Sequence, residues 1–292
     1  MTDPLLRLYP ATYRAACGQE IVDVHREMTA DMPRAARLRA DADLAAHAVR
    51  VRLGLDSASP AGRFFALAAP FALAAGAVDS GLHLTRWYAG LVRSPAPMWI
   101  QLSTMDAAQA AYLLLSLLVC LGAVIALTGR WLPGAGLAVC GLLGTAVQRV
   151  VATPAPGEGA VAPVAAALLT TAVVLSCPPD RRGNRQLSTA AGVMAAAAWF
   201  PVVVVDTGAF GVTTDYGAWP MLVLALTGAV LALRARSSGL RELGAMAVAS
   251  SPLVAHAYTD AWLEVRPVLG LFLLLPIAAA LTACFQVVRR RR

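Results

Sequence analysis

Two patterns of apolar positions divide the chain. In the first sixty residues Tyr13, Cys17, Ile21, Val24 and Met28 recur at steps of four, four, three and four, with Glu20, Asp23 and Glu27 on the opposite side. That spacing draws one apolar stripe along a helix. A second stripe, Leu44, Ala48, Val51 and Leu55, begins after Pro33. Proline lacks the N–H that a helix interior needs, so two amphipathic helices are predicted, folded as a hairpin. Two helices of this length bury too little by themselves and need a partner surface, either the membrane face or another protein copy.

From Gly62 onward the pattern changes to long apolar runs separated by polar punctuation. Eight spans are predicted, at about 62–80, 107–128, 133–151, 160–177, 188–205, 217–233, 243–258 and 268–288. Crossing a bilayer takes roughly 17–25 residues, which most of these meet. The sixth and seventh are short, and the seventh carries Ser250, Ser251, Pro252 and His256. The segment 81–106, with Trp87, Tyr88, Pro95, Pro97 and Trp99, is expected to be an interfacial loop or short helix anchored by aromatics.

Composition supports the membrane reading. Of 292 residues, 58% are hydrophobic and 14% charged, with a mean hydropathy of +0.64. Soluble domains run at about 45–50% apolar and about 25% charged, so a soluble globule of this length is excluded. The expected fold class is therefore all-α: a polytopic transmembrane helical bundle (residues 61–292) preceded by a small cytoplasmic helical module (residues 1–60). Residues 1–60 hold no continuous apolar h-region, so no cleavable signal peptide is expected.

Charge refines the topology. All 24 basic residues are arginine. With the N-terminus inside, the eight-span arrangement puts 20 of the 24 on the cytoplasmic side and only Arg86, Arg93, Arg149 and Arg266 outside. This is the bias of the positive-inside rule, and it places both termini in the cytoplasm. The net charge of +7 follows from the same topology and calls for no nucleic acid partner. The cysteines, Cys17, Cys120, Cys140, Cys177 and Cys284, show no paired spacing, which argues against a disulfide framework or zinc ribbon.

The spans are almost free of ionisable groups at mid-depth, which disfavours a proton-coupled carrier. Ionisable residues gather instead at the outer ends. Asp79, His83 and Arg86 stand at i, i+4 and i+7, on one face if the first span continues as a helix. His256, Asp260 and Glu264 follow a similar spacing at the end of the seventh span. The candidate outer polar pocket comprises Asp79, His83, Arg86, Arg149, Asp206, His256 and Asp260, roofed by Trp87, Trp199, Trp219 and Trp262. The plainer explanation is that such charges mark span ends, where side chains reach water.

A zinc site of His83, His256, Asp79 and Asp260 is the sharper variant, because His and carboxylate at i, i+4 are feasible co-ligands. Without an HxxxH or HExxH motif no metal ligand is assigned, and a haem between the two histidines has the same weakness. No catalytic residue and no cofactor is assigned, since GxxxxGK[ST] and GxSxG motifs are both missing. Gly134, Gly136, Gly141 and Gly144 are expected to permit close helix packing, and Pro201, Pro252 and Pro276 to kink their helices.

The opening stretch Leu5-Leu6-Arg7-Leu8-Tyr9-Pro10-Ala11-Thr12-Tyr13-Arg14, followed by Gly18-Gln19-Glu20-Ile21, resembles a recurring bacterial module. It is similar to the helical prefix before the transmembrane regions of some permease-like proteins, and to cytoplasmic modules of membrane proteins linked to PadR-type regulators. The absence of Lys and the Ala/Arg-rich style resemble an actinobacterial chain. The resemblance covers about 30 residues and brings no catalytic residue with it. The chain departs from the permease pattern in lacking the large periplasmic domain and the attached ATPase. The expected function is that of a non-enzymatic signalling, regulatory or accessory membrane protein, its N-terminal helices binding a cytoplasmic partner. The alternatives are a permease for a small molecule or lipid, and an intramembrane metal-dependent enzyme using the outer His/Asp set. A homo-oligomer is compatible with each.

Overall fold

The computed structural model describes residues 7–152, 158–206, 219–234, 240–260 and 269. Among the described residues there are helices and connecting turns and no strand. The predicted hairpin forms as α1 (Ala11–Thr29) and α2 (Arg34–Leu53), with Pro33 at the N-cap of α2. Tyr9 anchors it: the ring is 1% exposed, stacks on Tyr13 at 5.4 Å, and its hydroxyl donates to the Leu44 carbonyl at 3.3 Å. Burial raises the Tyr9 pKa, and burial together with the nearby Arg50 lowers that of His47 beside it.

The hairpin is joined to the bundle by a tightly held turn. α2 ends at Gly54, whose φ of 66° is the left-handed conformation that glycine adopts without a Cβ penalty. Ser59 then caps α3, its Oγ accepting from the Gly62 N–H at 2.8 Å, while the Ser59 N–H donates to the Asp56 carboxylate at 2.6 Å. A Cβ at Gly62 would stand 1.8 Å from the Asp56 carbonyl oxygen, so only glycine fits this turn.

The central element is α3 (Pro60–Arg93), 34 residues long and continuous through Pro70. Phe71 to Ala75 are fully buried, and α5, α7, α8, α10 and α11 pack around the helix. Its small residues let these neighbours approach from several sides. The first predicted span therefore does not stop at residue 80. Residues 81–93, expected to belong to an interfacial segment, continue the helix for about three and a half more turns. Only α4 (Met98–Ser103) is the short helix foreseen there.

The remaining helices are α5 (Ala107–Leu127), α6 (Trp131–Ala152), α7 (Glu158–Leu175), α8 (Arg185–Asp206), α9 (Trp219–Arg234), α10 (Leu240–Ala249) and α11 (Ser251–Asp260). α3, α5, α6 and α8 are long and apolar enough to cross a membrane, corresponding to the first, second, third and fifth predicted spans. The fourth and sixth fall on shorter apolar helices, Val161–Leu175 and Trp219–Arg234. The seventh is two ten-residue helices, because Pro252 supplies no N–H and the chain turns at Ser250. The eighth, apart from residue 269, lies outside the described residues.

The α5–α6 pair is built on backbone proximity. A Cβ at Gly122 would meet the Ala138 nitrogen at 2.4 Å, and one at Gly134 the Ala126 nitrogen at 2.2 Å. Gly141 and Gly144 approach Val119 and Leu115 closely as well, whereas Gly136 faces open space. Three of the four glycines expected to serve packing do so, joined by Gly122 from the facing helix.

Candidate functional site

Counting from Pro60, Asp79 lies nineteen residues along α3, about 29 Å at the helical rise and close to the thickness of a hydrocarbon core. Here, at the end of the bundle away from the hairpin, α3, α5, α6, α7 and α11 enclose a small cavity of about 30 Å³. That volume holds about one water molecule. Its polar lining comes from Asp79, Ser80 and His83 on α3, Tyr112 and Ser116 on α5, Thr145 and Arg149 on α6, and His256 and Thr259 on α11.

His256 is the centre of this arrangement and is 4% exposed. Its Nδ1 stands 2.8 Å from Asp79 Oδ1, and its Nε2 stands 3.3 Å from Asp260 Oδ2. The first is a hydrogen bond; the second is close but misaligned, so Nε2 is buried without a hydrogen-bond partner. One imidazole thus faces two carboxylates. A neutral ring carries a single N–H and can donate to only one of them. Satisfying both contacts takes an imidazolium, a protonated carboxyl, or a cation at one nitrogen.

The other members complete a chain of charges. His83 Nε2 lies 3.7 Å from the same Asp79 oxygen, and its ring is 5.0 Å from that of His256. Arg86, one turn further along α3, pairs with Asp260. Arg149 donates to the Tyr112 hydroxyl at 2.8 Å and lies over the Tyr112 ring, which in turn meets His83 edge-on at 5.5 Å. With the histidines neutral, the two carboxylates balance the two guanidinium groups.

Of the seven residues predicted for the pocket, six come together: Asp79, His83, Arg149 and His256 at the cavity, Asp260 and Arg86 immediately behind His256. Asp206 stands apart at the end of α8, where its carbonyl accepts from Arg93. Among the described residues no tryptophan of the expected roof lines the cavity. Trp199 packs on Gly81 and donates to Thr85, and Trp219 donates to the Ala197 carbonyl. Trp87 is not part of the cavity lining, and Trp262, with Glu264 and Arg266, lies outside the described residues. Tyr112 and the four hydroxyl residues were not foreseen. Arg149, a lone cation near the end of an apolar helix, was the signal that could have led to Tyr112.

A second feature lies in the hairpin. α1 and α2 splay apart around an open groove whose lining includes Cys17, Ile21, Val24, Met28, Met32 and Leu44. The predicted α1 stripe lines this groove from Tyr13 to Met28. Val24 and Met28 are 48% and 57% exposed, an unusual position for apolar side chains on a stripe meant for burial.

In comparison with known proteins, no family model, curated protein or solved structure matches this chain.

Proposed function

We propose that this chain is a polytopic cell-membrane protein of the signalling, regulatory or accessory kind, without enzymatic activity, whose N-terminal hairpin binds a cytoplasmic protein. In this reading the chain crosses the membrane eight times with both termini inside, the hairpin faces the cytoplasm, and the polar centre around His256 faces outward. The arginine distribution supports that orientation.

The observation that carries the proposal is the hairpin groove, which no described residue fills. Its floor is apolar and includes two methionines, whose unbranched side chains adapt to varied shapes. Its edges carry Glu20, Arg39 and Asp43, charges of both signs. A groove of this kind fits one amphipathic helix laid against it by its apolar face. The rigid Ser59 turn then joins the bound partner to α3, the helix that bears Asp79 and His83.

A photo-crosslinking residue at Met28, in cells, is expected to trap a discrete cytoplasmic protein. Val24→Glu should abolish that adduct while the bundle remains inserted. Crosslinks to lipid alone, or an adduct indifferent to Val24→Glu, would overturn the proposal.

One observation favours transport as a second reading: the break between α10 and α11 lies within two turns of His256, and interrupted helices beside a polar site are a feature of transporters. On that reading, proteoliposomes show substrate flux that falls at least tenfold in Asp79→Asn; flux unaffected by that change removes the polar centre from the pathway.

A further inference from the structure

We propose that Asp79, His83 and His256 form a binding site for one divalent transition-metal ion of the zinc class, oriented from behind by Asp260 and Arg86. This inference is independent of the signalling reading and stands whether or not the hairpin has a partner.

Three observations carry it. The first is spacing. The ligand atoms of the three residues all lie within 4.8 Å of one another, although they come from helices 173 residues apart in sequence. Tetrahedral coordination at metal–ligand distances of about 2.0–2.1 Å places ligand atoms about 3.3 Å apart. The Asp79–His256 and Asp79–His83 separations, 2.8 and 3.7 Å, lie on either side of that value. A small adjustment of χ angles brings all three onto one ion.

The second is the environment of His256. Metal-binding histidines commonly donate their other ring N–H to a carboxylate, which fixes the tautomer and aims the lone pair at the ion. Here Nδ1 points to Asp79 and Nε2 is buried, lacks a hydrogen-bond partner, and lies 3.3 Å from Asp260. Arg86 pairs with Asp260 and holds it in place. With an ion on Nδ1, the single N–H sits on Nε2 facing Asp260, and both sides of the ring are accounted for. A neutral ring between two ionised carboxylates satisfies only one of them by hydrogen bonding.

The third is the open position. The three residues supply three ligands, and the adjoining cavity has room for one water among Ser80, Ser116, Thr145 and Thr259. A fourth ligand can therefore be water, the pattern of an accessible rather than a closed structural site. Arg149 lies on the same cavity, but its guanidinium is turned onto Tyr112 by a hydrogen bond and a ring contact.

The test uses the full-length protein in detergent micelles, stripped with a chelator and titrated with Zn²⁺ alone and then Co²⁺ alone. One ion per chain is expected, with Co²⁺ giving the intense visible absorption of a tetrahedral site. His83→Ala and His256→Ala should each weaken zinc binding more than about a hundredfold, and Asp260→Asn by about 10–100-fold. His83→Gln preserves the size and polarity of the side chain and should also lose binding, which covers the case where the alanine variants do not fold. The histidines of the hairpin are the control: His25→Ala with His47→Ala should leave stoichiometry and affinity unchanged. If the native protein takes up no zinc or cobalt, the proposal is overturned. It is equally overturned if the ion binds but folded His83→Gln binds it as tightly as before.

Discussion

Replacing Gly134 with leucine is expected to dismantle the α5–α6 pair and with it most of the recoverable folded protein. The reason is the nature of the obstacle. A Cβ at Gly134 would lie 2.2 Å from the backbone nitrogen of Ala126 and 2.6 Å from the carbonyl oxygen of Gly122. Side chains can swing aside at a cost of typically about 1–3 kcal/mol, but backbone inside a helix cannot. The two helices would have to separate along their whole seam, forfeiting the contacts at Gly141 and Gly144 as well. In a bilayer such packing is the main force between helices, because lipid is as apolar as the surfaces it would wet. We expect the monodisperse yield after detergent extraction to fall more than about tenfold. Gly136→Leu is the matched control, since Gly136 meets nothing within 4 Å and its new side chain simply faces outward. Equal yields of the two variants would mean that the seam is not a backbone contact.

The second large effect is expected from Asp79→Ala, measured on chelator-treated protein so that metal binding makes no contribution. Removing the carboxylate leaves the buried Nδ1 of His256 without its partner and takes from His83 its nearest anion. Orphaning a group of this kind costs about 2–4 kcal/mol, whereas replacing both partners by apolar groups recovers much of the loss. Asp79→Ala/His256→Leu should therefore unfold less readily in graded denaturing micelles than the sum of the two single changes implies. Asp79→Asn, which keeps one acceptor oxygen, should fall between wild type and Asp79→Ala. Strict additivity would show that the pair is not coupled.

The sequence made local features of the site legible and left the long-range ones hidden. Asp79, His83 and Arg86 share a face because the helical period puts i, i+4 and i+7 together, and the same holds for His256 and Asp260. That the two groups meet depends on how α11 packs against α3, which no spacing within either helix encodes. Tyr112 was hidden because an aromatic inside an apolar run looks like any other lipid-facing residue. The hydroxyl residues were hidden for a related reason: Ser116 and Thr145 bond to carbonyls of their own helix, which lets them sit in apolar segments without disturbing the pattern. The length of α3 was misjudged at its far end because hydropathy fades after Ser80. The backbone hydrogen bonds of a helix do not require apolar side chains, and tertiary packing on Leu82, Thr85 and Ala89 sustains it. Pro252 did announce the interruption of the seventh segment, though as a kink rather than as two separate short helices.

α3 is a stiff rod enclosed by five neighbours and fixed at its base by the Ser59 turn. Pro70 removes one backbone hydrogen bond from its middle, and the burial of Phe71 to Ala75 among the surrounding helices holds it continuous past that point. Asp79 and His83 thus share one unbroken helix with the Gly62 joint, and the hairpin lies on the other side of that joint.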